Sequence, residues 1–314
     1  MRLSASHQAP VPPAVAQPAG SVDAEFPAIA GVTHKYVMVN GVRYHYAEAG
    51  HGEPLVLIHG FPENWYMWHQ LIPELAKHYR VIAPDMRGAG WTAAPAGGYG
   101  KEQMADDIAS FMDAVGAPRA RVMGHDMGGY VGFMLALRHP EKVSQYLAMD
   151  IATPWPSAKA LPDVWRLMYQ PLLASPLLGA ALLRQPLFIK TMLDAASTTH
   201  PWNQQDYDMF TAPYRDRAHS EAGSAMYRTF LTRELLPWTR GAYAHAQLEP
   251  QTLLLVGAND PVIKPELVAG FEAHSRDMRA EFVPGAGHFL PEERPDLVLD
   301  RALRFFGTPA SAVA

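Results

Sequence analysis

The chain has 314 residues, 48% hydrophobic and 18% charged, enough to bury a sizeable core and too apolar for a disordered polymer. Its 26 Lys and Arg against 31 Asp and Glu give a formal net charge of −5, so no basic surplus exists to neutralise nucleic-acid phosphates. Cysteine is absent, which removes disulfides, thiolate metal sites and cysteine nucleophiles together and fits a reducing, cytoplasmic setting.

Residues 1–24 are rich in Ala, Pro, Ser and Gln, and Pro10, Pro12, Pro13 and Pro18 interrupt any apolar core of signal-peptide type. The reading is a flexible tail over 1–31, with order beginning near Phe26. Lys35 to Asn40 and Val42 to Ala47 alternate around Asn40-Gly41, which predicts a hairpin. Pro54 to His59 is a continuous apolar run, read as a buried strand entering a loop. Trp65 to His78 carries helical spacing, and Arg80 to Pro84 is a further short strand. Lys101 to Val115 predicts a helix with Met104, Ile108, Phe111, Met112 and Val115 on one face. Arg119 to Gly124 predicts a strand, followed by a sharp turn and a helix from about Gly128 to Arg138.

Val143 to Met149, Gln251 to Val256 and Arg279 to Val283 complete the strands. Helices are expected around Pro265 to His274 and over Arg294 to Phe306. Strands alternating with helices imply a mostly parallel sheet with helices on both faces. Residues 152–238 break the alternation and read as a helical insertion over the carboxyl ends of the strands, where ligands bind in open α/β sheets. The apolar stretch 171–193 is cut by Pro176, Arg184, Pro186 and Lys190, too broken for a membrane span.

Four signals carry chemistry. Gly124-His-Asp126-Met-Gly128-Gly129 lies between a strand and a helix, with glycines spaced for a nucleophile elbow whose centre is Asp126 rather than serine. His59-Gly-Phe61-Pro62 ends an earlier strand. His288, in Gly285-Ala-Gly-His288-Phe289, sits on a loop after the last strand. An acid must orient that histidine, and two are available: Asp260, which is favoured, after the penultimate strand, and Asp150 after the strand that follows the elbow helix. A carboxylate is ionised at neutral pH without help from a base. It suits attack on a saturated electrophilic carbon, giving an ester that an activated water must then break.

Order and spacing resemble the α/β-hydrolase superfamily over roughly residues 32–307. Within it, Asp126 together with His59-Gly-Phe-Pro-Glu63-Asn-Trp65, Asp85-Met-Arg87-Gly-Ala-Gly90 and Gly287-His288-Phe-Leu-Pro-Glu-Glu293-Arg-Pro resembles the epoxide hydrolases and their dehalogenase relatives. The resemblance implies an α/β-hydrolase fold: a core formed by 32–151 and 239–309 and a helical cap, 152–238, inserted after the sixth strand. It implies an oxyanion hole from the backbone N–H groups of Phe61 and Met127, and cap tyrosines that protonate the epoxide oxygen. Tyr227 matches the second of these; the first falls in Trp165–Gln170, where the alignment places Arg166, with Tyr169 as the alternative.

Trp65, Trp165 and Tyr169 are expected to line the site of a small apolar epoxide. No cofactor or metal is expected, nor a nucleic-acid or membrane partner, and the chain would be a monomer or homodimer. The runner-up is a haloacid or haloalkane dehalogenase, since Asp150-Ile-Ala-Thr-Pro154 resembles the fluoroacetate branch. Against it, Met127, Phe61 and Tyr130 replace the residues that handle halide or carboxylate in those families. An inactive binding module on the same fold is the third reading.

Overall fold

The computed structural model of the chain describes residues 26–156 and 169–307. Strands β1 (Thr33–Val39) and β2 (Val42–Ala49) form the expected hairpin. Asn40 and Gly41 take φ of 50° and 80°, the backbone that a two-residue turn between twisted strands requires. Strands β3 (Pro54–Ile58), β4 (Arg80–Pro84), β5 (Ala120–His125), β6 (Val143–Met149) and β7 (Gln251–Gly257) are short, mostly buried runs. Strands β8 (Met278–Val283) and β1 are the two edges and are more exposed.

The eight strands lie in the order β1-β2-β4-β3-β5-β6-β7-β8, and only the β1–β2 and β2–β4 pairs are antiparallel. Helix α1 (Ile72–Leu75) follows β3, α2 (Lys101–Ala114) follows β4, and α3 (Asp126–Arg138) follows β5. The chain steps one way from β3 to β4 and the other way from β4 onward. Right-handed crossovers then put α1 on one face of the sheet and α2 and α3 on the other. The reversal falls between β3 and β5, the position where open α/β sheets form a crevice.

Among the described residues six α-helices lie between β6 and β7: α4 (Tyr169–Ala174), α5 (Leu178–Leu183), α6 (Pro186–Ala196), α7 (Gln204–Thr211), α8 (Arg217–Thr229) and α9 (Leu235–Thr239). A π-helical turn, Phe230–Glu234, joins α8 to α9. Among the described residues of 152–238 there is no strand. Helices α10 (Pro265–Val268), α11 (Leu290–Glu293) and α12 (Pro295–Phe306) complete the fold, and α12 packs on α1 while α2 packs on α3. Among the described residues no helix is long and apolar enough to cross a membrane.

Two sequence expectations need correction. Trp65 to His78 is not one helix but a 3-10 turn, Trp65–Trp68, followed by the short α1. Tertiary bonds start that turn: the Asn64 side chain accepts from the Tyr66 N–H at 3.0 Å, and Asp85 Oδ1 accepts from the Trp65 N–H at 2.8 Å. Pro73, with no N–H to give to a preceding turn, marks the restart at α1. The helix expected over Pro265 to His274 stops at Val268, because Gly270 enters the left-handed region at φ 100°.

Candidate active site

Strand β5 ends at His125 and α3 begins at the next residue, so Asp126 sits on the turn itself, at φ 47°. A non-glycine residue at positive φ is strained, and strain of this kind is held only where the surroundings impose it. Here the glycines allow it. A Cβ on Gly128 would lie 2.3 Å from the carbonyl oxygens of Ile58 and His59, and one on Gly124 would lie 2.6 Å from the Gly128 carbonyl. The elbow can therefore press against β3 only with bare backbone.

That approach brings the β3 loop to the carboxylate. The Phe61 N–H donates to Asp126 Oδ1 at 3.0 Å. The other oxygen, Oδ2, lies 3.3 Å from His288 Nε2. On the far side of the imidazole, Nδ1 lies 2.8 Å from Asp260 Oδ2. Asp260 Oδ1 is itself fixed, accepting from the Val262 and Ile263 N–H groups at 2.6 and 3.0 Å. Three residues from the ends of β5, β7 and β8 thus meet in one line: carboxylate, imidazole, carboxylate.

The sequence left Asp150 as the rival acid. It is buried beside the same histidine loop, but its carboxylate accepts from the Gly257 N–H at 2.8 Å and the Leu290 N–H at 3.4 Å. Its closest imidazole is His125 Nε2, at 3.8 Å. Burial, then the charge of Asp260, push its pKa well above the usual carboxylate range. Asp150 joins the backbone of β7 to the histidine loop, and Asp260 faces His288.

The charges on this line reinforce one another. Burial disfavours the Asp126 carboxylate, but His288, His125 and the Phe61 N–H outweigh it and bring its pKa down to about 2. Burial likewise disfavours the His288 imidazolium, yet Asp260 and Asp126 flank it and hold its pKa well above the free value. His125, which precedes the elbow, was not singled out in the sequence. Its Nδ1 lies 3.1 Å from Glu63 Oε2 and its Nε2 donates to the His288 carbonyl at 2.7 Å. With an acceptor on each ring nitrogen, and despite full burial, its pKa is raised by Glu63. The sequence signal for it was the His-Asp pair at the elbow together with Glu63 after His59-Gly-Phe-Pro.

Glu293 was quoted only as part of a motif, and it has a definite task. Its carboxylate accepts from the Gly287 N–H at 3.1 Å and from the Thr198 and Thr199 N–H groups at 2.9 Å. The His288 N–H donates to the Ala196 carbonyl at 2.9 Å. The histidine loop is thereby tied to the end of α6.

Two cavities meet at Asp126. One, of about 340 Å³, is lined by Phe61, Leu172, Phe188, Met192 and His288 among others. The other, of about 100 Å³, is lined by Met127, Ile151, Phe230, Trp238 and Ile263 among others. Both are mostly apolar, and both include Asp126, Tyr169, Tyr227 and Val262. Tyr169 and Tyr227 pack edge to face with ring centroids 6.0 Å apart. Tyr169 is 36% exposed and lines both cavities. Burial raises both phenol pKa values above the free value, so both hydroxyls carry their protons at neutral pH.

Trp65 does not belong to this site. It is fully buried and packs against His34, Phe26 and Tyr66 on the β1–β2 side of the sheet, so it is core. Trp165 and Arg166 lie outside the described residues. Met127 lines the smaller cavity from the first turn of α3, where backbone N–H groups have no partner within the helix.

Comparison with known proteins identifies the family. A profile of the alpha/beta hydrolase fold matches residues 53–295. The soluble epoxide hydrolase of Corynebacterium sp. (strain C12) is 32% identical over 295 residues, covering 88% of this chain and 97% of that protein. Among solved structures, the epoxide hydrolase CorEH superposes with a TM-score of 0.78 at 29% identity, covering 88% of this chain and 98% of that one. A Salmonella enterica protein provisionally described as an acyltransferase superposes with a TM-score of 0.82 at 28% identity, over 90% and 98%. Matched by that profile over most of its length and by an epoxide hydrolase almost end to end, the chain belongs to the α/β-hydrolase superfamily and, within it, to the epoxide hydrolase family.

Proposed function

We propose that the chain hydrolyses an apolar epoxide to a vicinal diol through a covalent ester on Asp126. The observation that carries this is the grouping around one cavity junction: an ionised carboxylate with an Asp–His pair behind it and two protonated tyrosine hydroxyls beside it. Oδ1 of Asp126 is held by the Phe61 N–H, so Oδ2, which faces His288 Nε2 at 3.3 Å, is the oxygen that attacks. It adds to one epoxide carbon as the C–O bond of the ring breaks. Tyr227 and Tyr169 hydrogen-bond the departing oxygen, and one gives it a proton.

Esterification removes the negative charge of Asp126, one of the two charges that hold His288 protonated. The imidazolium can then give up its Nε2 proton, which returns through solvent to the tyrosinate left by ring opening, and the neutral imidazole takes a new proton from water at Nε2, with Asp260 holding the tautomer through Nδ1. Hydroxide adds to the ester carbonyl, and the developing charge falls on Oδ1, already facing the Phe61 N–H, with the Met127 N–H at the start of α3 as the proposed second donor. Collapse releases the diol and restores the carboxylate. In this reading residues 152–238 act as a cap whose helices supply the tyrosines and the apolar walls, and the mechanism draws on no cofactor. The dehalogenase alternative rested on the likeness of Asp150-Ile-Ala-Thr-Pro154 to the fluoroacetate branch, and the backbone bonds of Asp150, which keep it from His288, weigh against it.

His288→Gln tests the proposal. Mixed with styrene oxide, the variant is expected to gain the full mass of the epoxide in intact-protein mass spectrometry and to lose that gain when Asp126→Ala is added. A gain equal to a haloalkane minus hydrogen halide, with no gain from epoxides, would replace the reading by the dehalogenase one.

A further inference from the structure

A third cavity, of about 790 Å³, opens between the Gly97–Lys101 segment and the junction of α8 and α9. It shares Lys101, Tyr130, Phe230 and Trp238 with the inner cavity of about 100 Å³ that holds Asp126. These four side chains form the partition between a roomy outer space and a narrow one at the nucleophile. Lys101 is its one charged member. It is 5% exposed, a rare state for lysine unless it is paired.

Its partner is Glu234, the last residue of the π-helical turn. The Lys101 Nζ lies 3.2 Å from Glu234 Oε2, and the Lys101 N–H donates to Oε1 at 2.6 Å. Nζ also lies 3.5 Å from the Met226 carbonyl and 5.5 Å from the Phe230 ring centroid. One lysine therefore grips positions 226, 230 and 234, a turn apart, on the helical run that carries Tyr227. That run leaves regular α geometry at this grip. Single π-helical turns inside helices recur at functional sites.

We propose that the Lys101–Glu234 pair sets the width of the passage from the outer cavity to Asp126, and so determines how bulky an epoxide substituent the site accepts. The assignment rests on the reaction proposed above. Lys101 and Glu234 are positioning residues: they act through the partition and the Tyr227 helix, not on the reacting atoms.

Turnover of 1,2-epoxybutane and trans-stilbene oxide tests it. Glu234→Ala is expected to raise kcat/KM for the stilbene oxide relative to the butane by about tenfold, near the low end of what one methylene of fit does to discrimination. The change should fall in KM. Glu234→Gln, which keeps an acceptor for the Lys101 N–H, should restore most of the wild-type ratio, and Lys101→Met serves if Glu234→Ala does not fold. An unchanged ratio, with both substrates falling alongside the melting temperature, would reduce the pair to a structural staple. Hydrogen exchange gives a readout independent of turnover: amides 226–234 should exchange faster in Glu234→Ala while β5 and α3 do not. Unchanged exchange there would overturn the clamp, whereas a wild-type chain that opens no epoxide would overturn the reaction and leave the clamp to be judged by exchange.

Discussion

Replacing Asp260 by asparagine exchanges one carboxylate oxygen for an NH₂ group with almost no change of volume, and the structure says where that group goes. Oδ1 accepts from the Val262 and Ile263 N–H groups, so in Asp260→Asn the amide oxygen must stay there. The amide NH₂ then faces His288 Nδ1, at the 2.8 Å the carboxylate spans now. A donor facing Nδ1 requires Nδ1 to accept, which moves the ring proton to Nε2, the nitrogen that must take a proton from water. A triad acid changed to its amide in a serine protease costs about 10⁴ in rate by this tautomer error, or about 5.5 kcal/mol, and a loss of about 10³–10⁴ is expected here. The loss should fall on ester hydrolysis alone, since attack by Asp126 needs no base.

Asp150→Asn is the control. The amide oxygen can keep the bond from the Gly257 N–H at 2.8 Å while the NH₂ displaces only the longer 3.4 Å contact from the Leu290 N–H, and the His288 tautomer is untouched, so ester decay should slow by less than about tenfold. Rapid mixing with styrene oxide, acid quench and intact-mass analysis separates formation of the ester from its decay. The Asp260 variant should accumulate ester and the Asp150 variant should not. Equal slowing of both steps by Asp260→Asn, or ester accumulation in Asp150→Asn instead, would refute the assignment of the triad acid.

Tyr227→Phe and Tyr169→Phe should each slow ester formation by about 10²-fold while ester decay stays within a few-fold, in the range of general-acid contributions. Single-turnover mass analysis reads both steps, and a decay slowed as much as formation would remove the tyrosines from proton donation. For pH, the Asp126 pKa of about 2 keeps the nucleophile ionised throughout the mildly acidic range. Hydrolysis needs His288 neutral in the ester, so lowering pH from 8 to 5 should leave ester formation almost constant and make the ester accumulate. A fall in formation with no accumulation would contradict this order of events. The depressed Asp126 pKa also adds stability that is present above its free value of 3.8 and is lost as pH falls toward 2, which acid unfolding of Asp126→Asn against wild type would measure.

Local chemistry explains what could be read in advance. The hairpin was legible because Asn-Gly suits a turn with positive φ at both residues, and the elbow because glycines flank one residue where two backbones nearly touch. Asp126, His288 and Asp260 were legible because each follows a strand, and parallel strands bring their carboxyl ends to one edge. The choice between Asp260 and Asp150 was open because both meet that condition. Only the three-dimensional placement shows that the Gly257 and Leu290 N–H groups already occupy Asp150. Trp65 misled for a related reason: an aromatic next to a catalytic motif looks like a pocket wall, but its position points it into the packing around Phe26 and His34. The Lys101–Glu234 pair is 133 residues apart and left no local signal.

Glu293 has a consequence for how such chains diversify. Its carboxylate binds the histidine loop and the end of α6 at once, and the His288 N–H closes the same seam on Ala196. The insertion between β6 and β7 is therefore not a lid that can be exchanged as a block. A chimaera that borrows these helices from a relative to gain a new substrate range must match the backbone at Ala196–Thr199, or it will import the new pocket and displace His288. Variation within the helices upstream of that seam is free of this constraint, and substitutions there are the easier route to new specificity.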